Sequence, residues 1–202
     1  MQSWNAEPLK VNQQEIEPEI YLDVETLRLS HEVPGGWNSI RDFGLAIAVT
    51  WNLSGGFRWW MEKDAGNLLT ELSKFERIVT YNGERFDFIV LSAYGNIKPL
   101  LSKSFDVLAE IQHLVGFRVK LDRVAAETLG IRKSGDGLQA VQLWRKGKIR
   151  EVADYCKDDV EILMRLVAYA RDHGHIIVDG APISVNWSPL RRPLTRSAAA
   201  AQ

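Results

Sequence analysis

The sequence predicts an α/β fold: a mixed sheet of about five strands, three antiparallel and then parallel, flanked by helices. Three observations predict it. Three apolar runs follow one another before Met61 through Gly-marked turns, the pattern of antiparallel neighbours. Beyond Asp64 the rhythm changes to segments of helical period broken by short strands. With 202 residues, 46% of them apolar and 25% charged, the chain can bury one core without cross-links.

Residues 1–18 are polar and Glu-rich and are expected to form a loose arm. Ile20-Tyr21-Leu22-Asp23-Val24 reads as a buried strand and opens a domain expected over residues 19–186. A loop carrying Pro34-Gly35-Gly36 leads into the near-continuous apolar run at 43–51, a second strand. Ser54-Gly55-Gly56 turns the chain into a third strand at Phe57-Arg58-Trp59-Trp60. Asp64 is placed to cap a helix through residue 75, with Leu68, Leu69 and Leu72 facing inward. Arg77-Ile78-Val79-Thr80-Tyr81 is a fourth strand, ended by Asn82-Gly83. A helix over residues 84–94 and an extended piece at Phe105-Asp106-Val107 follow. Further helices are expected over 121–129, 138–144 and 149–171. Ile176-Ile177-Val178 and Ile183-Ser184-Val185, joined at Asp179-Gly180, read as a terminal hairpin within 175–186. Residues 187–202, with Arg191, Arg192, Arg196 and an alanine run, are expected to be a disordered tail.

Composition narrows the function. The single cysteine, Cys156, excludes an internal disulfide and suits a reducing compartment. No run approaches the roughly 18 apolar residues that span a bilayer, and the first ten residues lack the apolar stretch of a signal peptide. A cytoplasmic protein without a membrane partner is therefore expected. A net charge of −1 argues against a protein that coats nucleic acid. It argues far less against an enzyme that grips only a strand end.

The chemistry concentrates in three places. Asp23-Val24-Glu25 puts two carboxylates on one face of an apolar strand, where they repel each other and lose hydration. A hard divalent cation such as Mg²⁺ or Mn²⁺ would relieve that repulsion; a strand already emerging into solvent would need none. Asn82-Gly83-Glu84-Arg85-Phe86-Asp87 lies where a strand ends and a helix begins, the usual ligand position in open sheets. Asp87 there also suits the dipole of the helix N-terminus. Tyr155-Cys156-Lys157-Asp158-Asp159-Val160 lies on the long helix, whose apolar face runs through Val152, Cys156, Val160 and Leu163. At 100° per residue Asp159 falls roughly 60° from the centre of that face and Asp158 roughly 160° away. Asp159 is thus selected as the buried acid, with Tyr155 one turn before it on the same rim.

In this order, Asp-x-Glu, Asn-Gly-x-x-Phe-Asp and Tyr-x-x-x-Asp resemble the three exonuclease motifs of the DEDD superfamily of ribonuclease-H-like nucleases. Tyrosine before the last aspartate marks the DEDDy branch. The chain is similar to ribonuclease-H-like exonuclease domains predicted in bacteria, often found near helicases, across roughly residues 19–185. Phe105-Asp106-Val107-Leu108 and Lys133-Ser134-Gly135-Asp136-Gly137-Leu138 share in the resemblance.

The resemblance implies a metal-dependent 3′→5′ exonuclease, with two divalent ions, Mg²⁺ or Mn²⁺, about 4 Å apart on the scissile phosphate. It implies that Asp23 bridges both ions. Glu25 and Asp159 complete the site of the ion that holds the attacking water, Asp87 holds the other, and Tyr155 orients that water. It places Thr26, Leu27 and Asn82 against the terminal nucleotide and Arg85 and Lys133 on phosphates. The implied partners are a single-stranded 3′ end of DNA or RNA and a separate helicase or polymerase. Trp59 and Trp60 offer base stacking, although one of two adjacent strand residues faces solvent in any case.

Other motifs carry less. His173 and His175 flank Gly174 without the further ligands of a zinc site and suit a helix-end turn. His31 and His113 stand isolated, and the Gly-containing loops have neither Walker nor dinucleotide spacing. Two alternatives remain at this stage: a structure-selective endonuclease on the same fold, and a non-catalytic nucleic-acid or helicase-partner module.

Overall fold

A computed structural model of the chain describes residues 19–131 and 137–188. The expected arm, Lys133 with the loop around it, and the chain beyond Ser188 lie outside the described residues.

Strands β1 (Glu19–Thr26), β2 (Leu45–Asn52) and β3 (Gly56–Met61) form an antiparallel meander. β4 (Arg77–Thr80) and β5 (Ser104–Asp106) join on the other side of β1, parallel to it and to each other. The order is β3-β2-β1-β4-β5, the mixed five-stranded sheet expected. β1 is its centre, so its residues are covered on both faces. Ile20, Leu22 and Val24 pack on one face with α1 (Ala65–Ser73) and α2 (Asp87–Leu91), through Leu68, Leu72, Phe88 and Leu91. Tyr21 points the other way, into a cluster built largely by α7 (Ile149–His173). By the two-residue alternation of a strand, Asp23 and Glu25 share Tyr21's face.

Several elements differ from their expected form. The long loop after β1 contains 3-10 turns at Ser30–Glu32 and Gly36–Phe43, the latter kinked at Ser39. Asp64 stands at the start of α1, but its side chain accepts from Met61 N (3.3 Å) and does not cap the helix. The helix expected at 84–94 is only five residues of α2. A 3-10 turn, Gly83–Arg85, precedes it, and Phe86 breaks the run with φ −136° and ψ −74°. A short α3 (Lys98–Leu101) and a full α4 (Val107–Val115) were not anticipated. α4 starts because the Asp106 side chain accepts from Leu108 N and Ala109 N, and it stops at Gly116, left-handed at φ 84°.

α5 (Leu121–Leu129), α6 (Gly137–Arg145) and α7 follow where helical periodicity placed them. The hairpin β6 (His175–Val178) and β7 (Ala181–Ser184) turns at Asp179 and Gly180, both at positive φ. The packed domain reaches past residue 186. Trp187, expected in the tail, is buried, packs edge-to-face on Phe105 and accepts from Arg171 Nε through its carbonyl (2.8 Å). Among the described residues, no helix is long and apolar enough to cross a membrane.

One ion-pair cluster fixes α7 against the sheet. Glu19 at the start of β1 is buried and accepts from Arg171 Nη2 on both oxygens (2.9 Å each) and from Arg77 Nη1 on Oε1 (3.2 Å). It ties β1, β4 and the last turns of α7 together four residues before Asp23.

Candidate functional site

β1 leaves the centre of the sheet with an irregularity in its pairing to β2 between Glu25 and Thr26. Such a bulge bends a strand where it stops pairing. Beyond it Thr26 Oγ1 donates to Arg28 O (3.1 Å), and Leu27 folds over Gly44, where φ is 72°. The last paired residues of β1 thus present Asp23 and Glu25 at the sheet end, opposite Val49 and Ile47. α7 crosses this face. Its Asp159 is buried while Asp158 is exposed, the division that helical phase required.

Asp23, Glu25 and Asp159 each offer a carboxylate oxygen, and the three oxygens lie within 4.8 Å of one another. Glu25 and Asp159 are buried, and Asp23 is half-buried. Three acids cannot share so small a space as anions unless positive charge joins them. This donor set is all oxygen and therefore fits a hard divalent cation.

Asp87, at the first position of α2, comes to the cluster from the opposite face of the sheet. It is buried, and its carboxyl is held well above the usual carboxylate range. Burial is the main cause and the charge of Asp23 the next, only partly offset by the N–H groups of Asp87 and Val24. The break at Phe86 is what aims this residue inward. Asn82 before it is left-handed (φ 72°), and a Cβ at Gly83 would lie 2.3 Å from Thr80 Oγ1. The Asn-Gly pair therefore answers to backbone geometry. Asp106 holds the turn by accepting from Asn82 N (2.7 Å) and Glu84 N (3.1 Å).

The acids open onto a groove of about 420 Å³, lined by Asp23, Glu25, Asp87 and Asp159. Thr26 and Tyr155, both named from the sequence, line it too. Arg28, His31, Trp37, Phe43, Phe86, Leu138 and Val141 also line it and were not singled out for the site. His31 and Trp37 reach it on the 3-10 turns after β1, and no local sequence pattern tells where such a loop will fold.

Asn82 and Arg85 line a different groove, of about 460 Å³, beside Gln112, His113 and Arg118. Arg118 Nη2 donates to Asn82 Oδ1 there (2.6 Å). Leu27 packs over Gly44 beside the acidic groove, and Lys133 is outside the described residues. Trp60 is buried, with Nε1 donating to Thr50 Oγ1 (2.8 Å), while Trp59 is exposed and lines a third groove with Arg58 and Lys74. His173 closes α7 and stacks on Tyr169 at 4.0 Å.

Comparison with curated proteins gives no match. Among solved structures, the chain is similar to the family B DNA polymerase from the hyperthermophilic archaeon Pyrobaculum calidifontis, with a TM-score of 0.57 and 15% identity. The match covers 76% of this chain and 24% of the polymerase, so the chain spans about a quarter of that protein's length. At this identity the likeness is one of fold. A family model of the RNase H superfamily matches residues 20–172, from the start of β1 to the last turn of α7. The chain belongs to the RNase H superfamily.

Proposed function

We propose that the protein is a 3′→5′ exonuclease that hydrolyses DNA or RNA from a single-stranded end with two divalent ions, Mg²⁺ or Mn²⁺. The observation that carries this reading is the meeting of Asp23, Glu25 and Asp159 within 4.8 Å, beside a buried Asp87 electrostatically linked to Asp23. Membership of the RNase H superfamily and the Tyr-x-x-x-Asp spacing on α7 support it.

Asp23, Glu25, Asp87 and Asp159 would hold the ions. Bound there, the ions would supply a nucleophilic hydroxide near neutral pH and neutralise charge on the phosphate. Tyr155, one turn before Asp159 and on the groove wall, orients the attacking water with its hydroxyl. Thr26, at the bulge, borders the terminal nucleotide. Arg85, in the neighbouring groove with Asn82, and Lys133 are proposed phosphate contacts. No covalent intermediate is needed, because the carboxylates hold charge and geometry and do not attack.

The test is cleavage of 5′-labelled single-stranded DNA and RNA with Mn²⁺, beside a circular single strand. A ladder shortening from the 3′ end, with the circle intact and activity lost in EDTA, is expected. Cleavage of the circle would make the protein an endonuclease, and no cleavage of any strand with Mn²⁺ demonstrably bound would remove the activity.

A further inference from the structure

Trp37 is the most exposed of the large apolar side chains among the described residues, at 66%. It stands on the same groove as the four acids. The ring is backed, and not merely left over on the surface. Phe43 meets it edge-to-face at 5.7 Å, and Phe86 lies tilted at 6.4 Å. Phe43 is itself buried, so this support belongs to the core.

The backbone beneath Trp37 is equally constrained. Gly35 and Gly36 both take positive φ (88° and 55°), and a Cβ on Gly35 would lie 2.5 Å from Ser39 Oγ. Gly36 N donates to Val33 O (2.9 Å) and Asn38 N to Gly35 O (3.0 Å). A tight turn thus presents an exposed indole, braced from behind, to the groove that holds the acids. Ordering before binding spares a ligand the entropy of fixing the loop.

We infer that Trp37 is a stacking platform for an unpaired nucleobase of the strand whose end lies at the acids. The inference rests on the proposed nuclease function and names the part of the substrate that the acids cannot read. Carboxylates with cations engage phosphate, whereas the electron-rich face of an indole does not attract a polyanion. The planar, apolar part of the same ligand is its base, and every base has a face for stacking. In a duplex those faces are covered by neighbouring pairs, so the platform selects a single-stranded or frayed end. Arg28 lines the groove as well and supplies a cationic partner for the backbone. A groove of about 420 Å³ falls in the size range of small-ligand sites, roughly 300–1,000 Å³.

The experiment compares the native chain with Trp37→Ala and Trp37→Phe. Each is given a 5′-labelled single strand and the same strand with abasic sugars at its last two 3′ positions. Cleavage with Mn²⁺ and binding with Ca²⁺ are both read, and melting verifies folding. Trp37→Ala is expected to weaken binding and kcat/KM on the intact strand about ten-fold or more, with Trp37→Phe close to native. On the abasic strand all three should coincide. Equal loss on both strands, or no loss on either, would overturn the platform while leaving the nuclease reading intact. A native chain that neither binds nor cleaves the intact strand would overturn both.

Discussion

The thiol of Cys156 donates to the carboxylate of Asp23, with Sγ 3.1 Å from Oδ2 and 3.3 Å from the backbone oxygen of the same residue. It joins α7 to β1 directly beneath the acid cluster. Burial pushes the thiol pKa well up, and the nearby charges of Asp23 and Glu25 push the same way, so the neutral donor form persists. Cys156 is thereby a positioning residue for Asp23. Cys156→Ala should lower kcat and weaken Mn²⁺ binding by about 10-fold, while Cys156→Ser, which keeps a donor, should recover most of both. Equal behaviour of the two variants would mean that packing alone matters at this position.

Asp87 makes the site costly to fold without metal. An acid whose folded pKa is raised binds more protons folded than unfolded, so stability falls as pH rises. That fall begins near the unfolded value of about 3.9 and ends above the raised folded pKa. In EDTA, melting temperature should therefore carry a component that declines with pH across this window. Asp87→Asn should remove it and stabilise the metal-free protein at neutral pH, each kcal/mol appearing as about 2–4 °C. The same variant should lose the rise in melting temperature that Mn²⁺ gives the native chain. A native melting curve unmoved by saturating Mn²⁺ would contradict the metal site.

Tyr155 is half-buried on the groove wall. If its hydroxyl orients water, Tyr155→Phe should lower kcat about 100-fold or more and leave KM little changed. A rise in KM at constant kcat would instead assign it to binding.

The Glu19 cluster should matter to stability and little to chemistry. Glu19→Ala would leave Arg171 and Arg77 facing each other in a largely buried position, at about 3 kcal/mol. The site acids begin four residues further along β1, about 13 Å away. Thermal melting should thus fall by several degrees, while kcat measured well below the transition stays near native. A large loss of kcat in a folded variant would show that the clamp also sets the distance between β1 and α7.

Legibility in the sequence followed periodicity. Alternation on β1 put Asp23 and Glu25 on one face, in keeping with the meeting of their carboxylates, and the 100° step of α7 separated buried Asp159 from exposed Asp158, as observed; both are local rules. α4 escaped because its start depends on the Asp106 cap, although Val107, Leu108 and Ile111 at helical spacing and Gly116 beyond them were available signals. The helix after Asn82-Gly83 is shorter than its sequence pattern implies because nothing local announces the break at Phe86. The separation of Asn82 and Arg85 from the acidic groove, and the arrival of Trp37 and His31 within it, depend on how loops lie over the sheet end. Such placements are tertiary, and no spacing encodes them.

The most direct test of the central claim compares two adjacent aspartates on α7, Asp158→Ala and Asp159→Ala, on 5′-labelled single strands with Mn²⁺. Only Asp159 shares the cluster with Asp23 and Glu25. The account predicts 3′-end laddering at near-native rate for Asp158→Ala and none for Asp159→Ala, with both variants folded by melting. Undiminished laddering by Asp159→Ala would contradict it, because cleavage would then not depend on the acid that completes the cluster.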